Sequence, residues 1–273
     1  MPKRLTEEQV QKYRDDGFVG SIPVLTPEEV RKYRASLEDY ERQIGNPLGF
    51  PEKSKPYLLF DWADAIVHHP AVLDAVEDVI GPDILVYHTT LWTKEPGAGT
   101  YVIWHQDDGY FQLDPPEQVT AWVALAEASV EAGCMRMVPG VHKLGYLSHG
   151  DNPNNKNIIR RGMGIHGRFG DDDGEYVPLH AGELSLHNTH TPHASNPNNS
   201  KDRRIGLGIS YIPAHAKPKT EPRSSALLVR GQDKYQHFHK EERLRIPVSA
   251  EAREAHAKAY KLYMAATRIP EGS

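Results

Sequence analysis

A single cysteine, Cys134, stands in 273 residues, so no internal disulfide forms and the chain suits a reducing compartment. No run of about 18 apolar residues exists, which excludes a transmembrane helix of ordinary length. The opening Met1-Pro2-Lys3-Arg4-Leu5 lacks the apolar stretch of a secretory signal. Net charge is −5 and the pI about 6.3, so the basic footprint of a nucleic-acid binder is missing. Internal repeats, low-complexity tracts, a His-Glu-x-x-His helix and a phosphate-cradling glycine loop are also absent. These absences leave the expectation of a cytoplasmic protein whose partner is a small molecule, with no nucleic acid and no membrane. The length allows a sizeable core without staples, and the expected organisation is one domain over 1–273. What the chain has in plenty is histidine, fifteen in all, several of them clustered.

Residues 1–82 read mostly as helix. Thr6 with Gln9, and Thr26 with Pro27 and Glu29, have the spacing of capping boxes, and Gly45 is placed to end the second helix. A third helical stretch over 63–80 is interrupted near Pro70 and stops at Gly81-Pro82. From residue 84 the pattern changes to β-prone runs separated by turn residues: 84–94, 101–106, 119–126, 134–138, 176–179, 183–187 and 204–212. Without alternating helices, such strands favour an antiparallel sandwich or jelly roll over a parallel sheet. A closing helix is expected over 249–267. The Asn/Gly-rich stretch 143–170 reads as a lid or insert, and it carries Lys143, Lys156, Arg160, Arg161 and Arg168. The plainer reading of that stretch is a solvated loop.

Chemistry concentrates in two places. In Trp104-His105-Gln106-Asp107, strand alternation would turn His105 and Asp107 to one side, where an imidazole and a carboxylate share a metal ion. Chance alone yields about one His-x-Asp in this composition, and the chain has a second, His149-Gly150-Asp151, in the irregular stretch. Downstream, a strand runs into a turn-prone stretch with His187, His190 and His193 at three-residue intervals, any of which could complete the site. Eleven residues on, Arg204 heads a strand, and its planar fork suits a carboxylate. For each spare histidine the plainer role is support or surface, and for Cys134 and Trp122 it is core packing.

Taken together, these blocks resemble the phytanoyl-CoA dioxygenase family of Fe(II)/2-oxoglutarate oxygenases. The matching segments are Trp104–Asp107 with Tyr110-Phe111, Ala121–Leu125, Gly133–Lys143 and His193–Asn198 with Arg204, in family order over roughly 90–212. One departure is Ala194, where the family often has glycine.

The resemblance implies a mainly β fold with flanking helices, built on a double-stranded β-helix of the jelly-roll, cupin-like type over 84–212. It implies His105, Asp107 and His193 as ligands of Fe(II), with 2-oxoglutarate and O2 as cosubstrates. It places the distal carboxylate of 2-oxoglutarate on Arg204, lines its pocket with Ser195 and Trp122, and offers Gln106 and Thr90 as further contacts. The implied activity is hydroxylation of an unactivated C–H bond of a small molecule, with release of succinate and CO2, and the basic residues of 143–170, where the family inserts a loop near the active-site mouth, point to an anionic one. Asp107 stands where related halogenases have a small residue, which disfavours halogenation. Desaturation or cyclisation on the same scaffold stays open, as do a zinc enzyme using the histidine cluster and a non-catalytic cupin-like binding protein.

Overall fold

Helix caps written into the first eighty residues set the outer layer of the molecule. The computed structural model describes residues 1–151, 154, 156–159, 164–219 and 221–267. In α1 (Glu7–Asp16) the Thr6 hydroxyl accepts from the Gln9 N–H at 3.2 Å, while Gln9 accepts from the Thr6 N–H at 2.9 Å. Thr26 and Glu29 repeat the arrangement at α2 (Pro27–Ile44), which ends at Gly45 in the left-handed conformation. The third helical stretch is two helices, α3 (Asp61–Val67) and α4 (Pro70–Ile80), divided where Pro70 opens the second.

The β core consists of two sheets. The larger contains β1 (Phe18–Pro23), β2 (Ile84–Lys94), β5 (Val119–Ala124), β8 (Glu183–Asn188), β10 (Arg204–Pro213), β12 (Ser225–Arg230) and β13 (His239–Lys240), in the order β1-β8-β5-β10-β2-β12-β13. The smaller contains β3 (Val102–His105), β6 (Met135–Met137), β7 (Glu175–Val177) and β9 (His193–Ser195), in the order β3-β9-β6-β7. A short pair, β4 (Leu113–Asp114) with β11 (Lys217–Pro218), stands apart. The helix α5 (Asp108–Phe111) follows β3, and α6 (Ala250–Ala266) closes the chain where the helical tail is expected, with Ser249 as its cap.

Alternation along the central strands separates packing from chemistry. On β10, Ile205, Leu207, Ile209 and Tyr211 join α1–α4 in the main core, together with Val119, Ala121 and Val123 of β5. The intervening residues, Arg204 and Gly206 on β10 and Thr120 and Trp122 on β5, face the smaller sheet. Phe18, Trp122 and Ala124 there pack against Met135, Met137 and Val177. Gly206 has to be glycine: a Cβ at that position would lie 1.8 Å from Cζ2 of Trp122.

Three expectations change. Phe18–Pro23 is a strand within the stretch that reads mostly as helix. Gly17 ends α1 at φ 86°, and the chain then pairs with β8, Phe18 opposite His187. Without β1 the edge of β8 would be unpaired. The β region also extends past 212, through β12 and β13. Finally, β3 stops at His105. Asp107 lies beyond it at φ −65°, ψ −31°, at the head of α5, so a turn and not strand alternation brings His105 and Asp107 together. Among the described residues no helix is long and apolar enough to cross a membrane.

Candidate metal centre

The register of the small sheet does most of the assembly. His105, at the end of β3, is the direct partner of His193, at the start of β9, and their ring centroids are 4.0 Å apart. The turn after β3 carries Asp107 Oδ1 to 3.8 Å from the Nε2 atom of each. One ligand atom from each of the three residues lies within 4.8 Å of the others, a spacing that a single metal ion can bridge.

The protonation of this face suits a cation. The Nδ1–H of His105 donates to the Ile103 carbonyl at 2.9 Å, and that of His193 to the Thr191 carbonyl at 3.0 Å. Each bond fixes the tautomer that leaves the Nε2 lone pair facing inward. Burial pushes His105 down to about 4 and His193 well below the usual imidazole range, so both are neutral near pH 7. Burial alone would raise the Asp107 carboxyl. The His187 contact and the surrounding imidazoles outweigh it and hold the group well below the ordinary carboxylate range.

Asp107 is braced through its other oxygen. The Thr120 hydroxyl donates to Oδ2 at 2.5 Å and accepts from the Gln118 amide at 2.6 Å, while His187 Nε2 lies 3.3 Å from Oδ2. Oδ1 is left for the metal face. The histidine cluster is thereby sorted by role: His193 joins the triad, His187 backs the carboxylate, and His190 sits 3.3 Å from Asp108. His149 of the second His-x-Asp accepts from the Gln106 N–H at 2.9 Å and pins the irregular stretch to the metal-binding turn.

A small cavity of about 60 Å³ opens from the triad toward Trp122, Ser195 and Arg204. Arg204 is buried across the face of Trp122, 5.1 Å from the ring centre. It donates once, to the Gly133 carbonyl at 2.8 Å, and its Nε has no partner among the described residues. Burial pushes it down to about 10. Lys94, directly opposite in the β2–β10 register, is equally buried, and its ammonium bonds Ser195 Oγ at 2.6 Å and the carbonyls of Ser195 and Asn196. Neither side chain has an ion-pair partner among the described residues, and the buried Arg204 charge calls for an anion. The face can hold a divalent metal, and the cavity beside it suits a dicarboxylate.

The phytanoyl-CoA dioxygenase (PhyH) family description matches residues 13–206. The chain belongs to that family. Its fold matches the apo non-heme monooxygenase ThoJ at 33% identity, TM-score 0.83, covering 94% of this chain and 96% of that one. CytC3 with Fe(II) and alpha-ketoglutarate shares the fold at 20% identity and TM-score 0.65, covering 92% and 100%. A sequence relative in Stutzerimonas stutzeri, named "Probable alpha-ketoglutarate-dependent hypophosphite dioxygenase", is 28% identical over 77% of this chain and 80% of its own length. The protein is an Fe(II)/2-oxoglutarate-dependent oxygenase with the cupin-like core of those enzymes.

Not every expected contact of this PhyH-family enzyme falls in the first cavity. The Gln106 amide is spent on the backbone, donating to Gly145 and His190 and accepting from the Leu147 N–H, so it staples loops together. Thr90 lines a second cavity and contacts His88 at 3.1 Å. Lys94 escaped motif reading, although β2 alternation through His88, Thr90, Trp92 and Lys94 marks it as inward-facing. Metal uptake tests the sorting of the histidines. His105→Ala, Asp107→Ala and His193→Ala should each lower bound Fe(II) well below one per chain, whereas His190→Ala and Asp151→Ala should leave it near one. Loss of metal in the second pair alone would refute the assignment.

Proposed function

We propose that this enzyme hydroxylates an unactivated C–H bond of a small molecule, so that R–H, O2 and 2-oxoglutarate give R–OH, succinate and CO2. The observation that carries this reading is the meeting of two cavities at the triad. The first ends in Arg204 and Ser195, and the second, of about 70 Å³, shares only His105, Asp107 and Trp92 with it. A cosubstrate and a substrate therefore reach one centre from different sides. In this proposal His105, Asp107 and His193 hold Fe(II), which when bound supplies the oxidising chemistry. Arg204 and Ser195 hold the distal carboxylate of 2-oxoglutarate, and Trp122 keeps the guanidinium in place. The retained Asp107 carboxylate favours hydroxylation over halogenation.

An anionic substrate stays part of the reading, but not on the strength of the irregular stretch. Lys143 pairs with Asp15, Lys156 donates to the Ala98 carbonyl and Arg168 lies over Phe169. Arg160 and Arg161 lie outside the described residues. A cytoplasmic setting and a small-molecule partner complete the proposal.

Lys94 acts on the cosubstrate through Ser195. As an ammonium it has three donors for its three acceptors, so the Ser195 hydroxyl accepts from it and turns its own proton into the cavity. Burial first, and then the Arg204 charge, push Lys94 down to about 6. A bound carboxylate restores the ammonium, so above pH 6 binding takes up a proton. Affinity for 2-oxoglutarate should therefore fall between pH 6 and 8, by up to about tenfold per pH unit. Lys94→Met should flatten that slope, as anaerobic titrations would show, and an unchanged slope would refute the role.

Oxygen labelling tests the reaction itself. With a substrate that accelerates succinate formation, 18O2 should place one label in the product alcohol and one in succinate. Replacing iron by zinc should stop turnover. A product that lacks the new oxygen would move the reading to desaturation or cyclisation, and an active zinc form would overturn it.

A further inference from the structure

The two oxygens of the Asp107 carboxylate have different surroundings. Oδ1 lies 3.8 Å from the Nε2 atoms of both His105 and His193, whereas Oδ2 accepts from the Thr120 hydroxyl at 2.5 Å. Among the described residues this is the one hydrogen bond that Oδ2 receives. The His187 ring stands 3.3 Å away, but neither of its nitrogens has a hydrogen-bond partner among those residues. A charge-assisted O–H···O bond of this length is strong, and a β-branched side chain has few rotamers through which to leave it.

Gln118 decides where the Thr120 proton goes. Its amide nitrogen lies 2.6 Å from the Thr120 oxygen, so the hydroxyl accepts there and keeps its single proton for Asp107. With the amide carbonyl turned to Thr120 instead, one proton would face two acceptors and leave one of them bare. The Gln118 side chain is fully buried, and its Oε1 has no partner among the described residues. A buried amide that donates here while its acceptor stays unpaired costs the fold stability, which fits a residue kept for the site. Its backbone is tied to the same turn: the Thr189 N–H donates to the Gln118 carbonyl at 3.1 Å, and the Asp108 N–H to the Thr189 carbonyl at 3.2 Å. Side chain and main chain together hold the start of β5 against the turn that carries Asp107.

Resting on the oxygenase reading, we propose that Thr120, set by Gln118, is a positioning residue that holds Asp107 to the metal through Oδ1 alone. A carboxylate without such a restraint can offer both oxygens to one cation. On a face of two imidazoles and one carboxylate, the second contact takes up a position that an incoming chelate needs. Arg204 and Ser195 act on the distal carboxylate of the cosubstrate. Thr120 acts at the metal end of the same cavity, by keeping room for the chelating end.

Two binding measurements test this without turnover. Water-proton relaxation of the Mn(II)-loaded protein counts the exchangeable waters on the metal, and anaerobic titration of the Fe(II)-loaded protein gives its affinity for 2-oxoglutarate. Thr120→Val keeps the side-chain shape and removes the proton, whereas Thr120→Ser keeps the proton. Thr120→Val should still bind metal near one per chain, lose about one metal-bound water and bind 2-oxoglutarate about tenfold or more weakly. Thr120→Ser should stay close to wild type in both, and Gln118→Met should shift both in the direction of Thr120→Val, by less. Thr120→Ala serves the same comparison if Thr120→Val does not fold. An unchanged water count in Thr120→Val, equal weakening in Thr120→Ser, or loss of the metal itself would each overturn the proposal, and unchanged values in Gln118→Met would overturn the part given to Gln118. Wild-type protein that fails to bind Fe(II) or 2-oxoglutarate would defeat the oxygenase reading instead, so the two failures are distinct.

Discussion

Everything at the metal centre depends on the pairing of two short strands. With β3 and β9 in register, His105 and His193 face each other without help from their side chains' flexibility. The chain then turns instead of continuing as a strand, and that turn delivers Asp107. Two residues of the larger sheet, Thr120 and His187, are themselves register partners and occupy the carboxylate's far oxygen. The triad is thus clamped between sheets. A one-residue slip in β9 would turn Ala194 toward the metal face and bury His193 elsewhere.

The larger sheet solves a second problem. It must bury hydrocarbon against α1–α4 and still present charge to the interior of the β core. Period-two alternation on β10 and β5 does both, with Ile205, Leu207 and Val123 on one side and Arg204 and Trp122 on the other. The cost is a buried guanidinium, Arg204, facing a buried amine, Lys94, across β2 and β10. That cost is recovered when a dianion binds, so cosubstrate affinity and local stability are linked. Gly206 makes the arrangement possible by leaving room for the indole that supports the guanidinium.

Much of this was legible in the residues. The bounds of β2 follow from composition and turn residues alone, and both capping boxes form as their spacing predicts. His105, Asp107, His193 and Arg204 stand out through motif order. The failures share a physical cause: local pattern does not report tertiary pairing. Phe18 fits a helical face as well as a strand, and only the open edge of β8 decides between them. Gln106 looks like a cofactor contact because of its neighbours, yet backbone groups of distant loops claim its amide.

The central claim is that one centre binds Fe(II) and 2-oxoglutarate together. Anaerobic titration of metal-free protein with both, followed by visible absorption, tests it most directly. The account predicts a charge-transfer band that needs both components, saturates at one of each per chain, and decays on admission of air with formation of succinate. Well-folded protein that binds Fe(II) but gives no band with 2-oxoglutarate would contradict it.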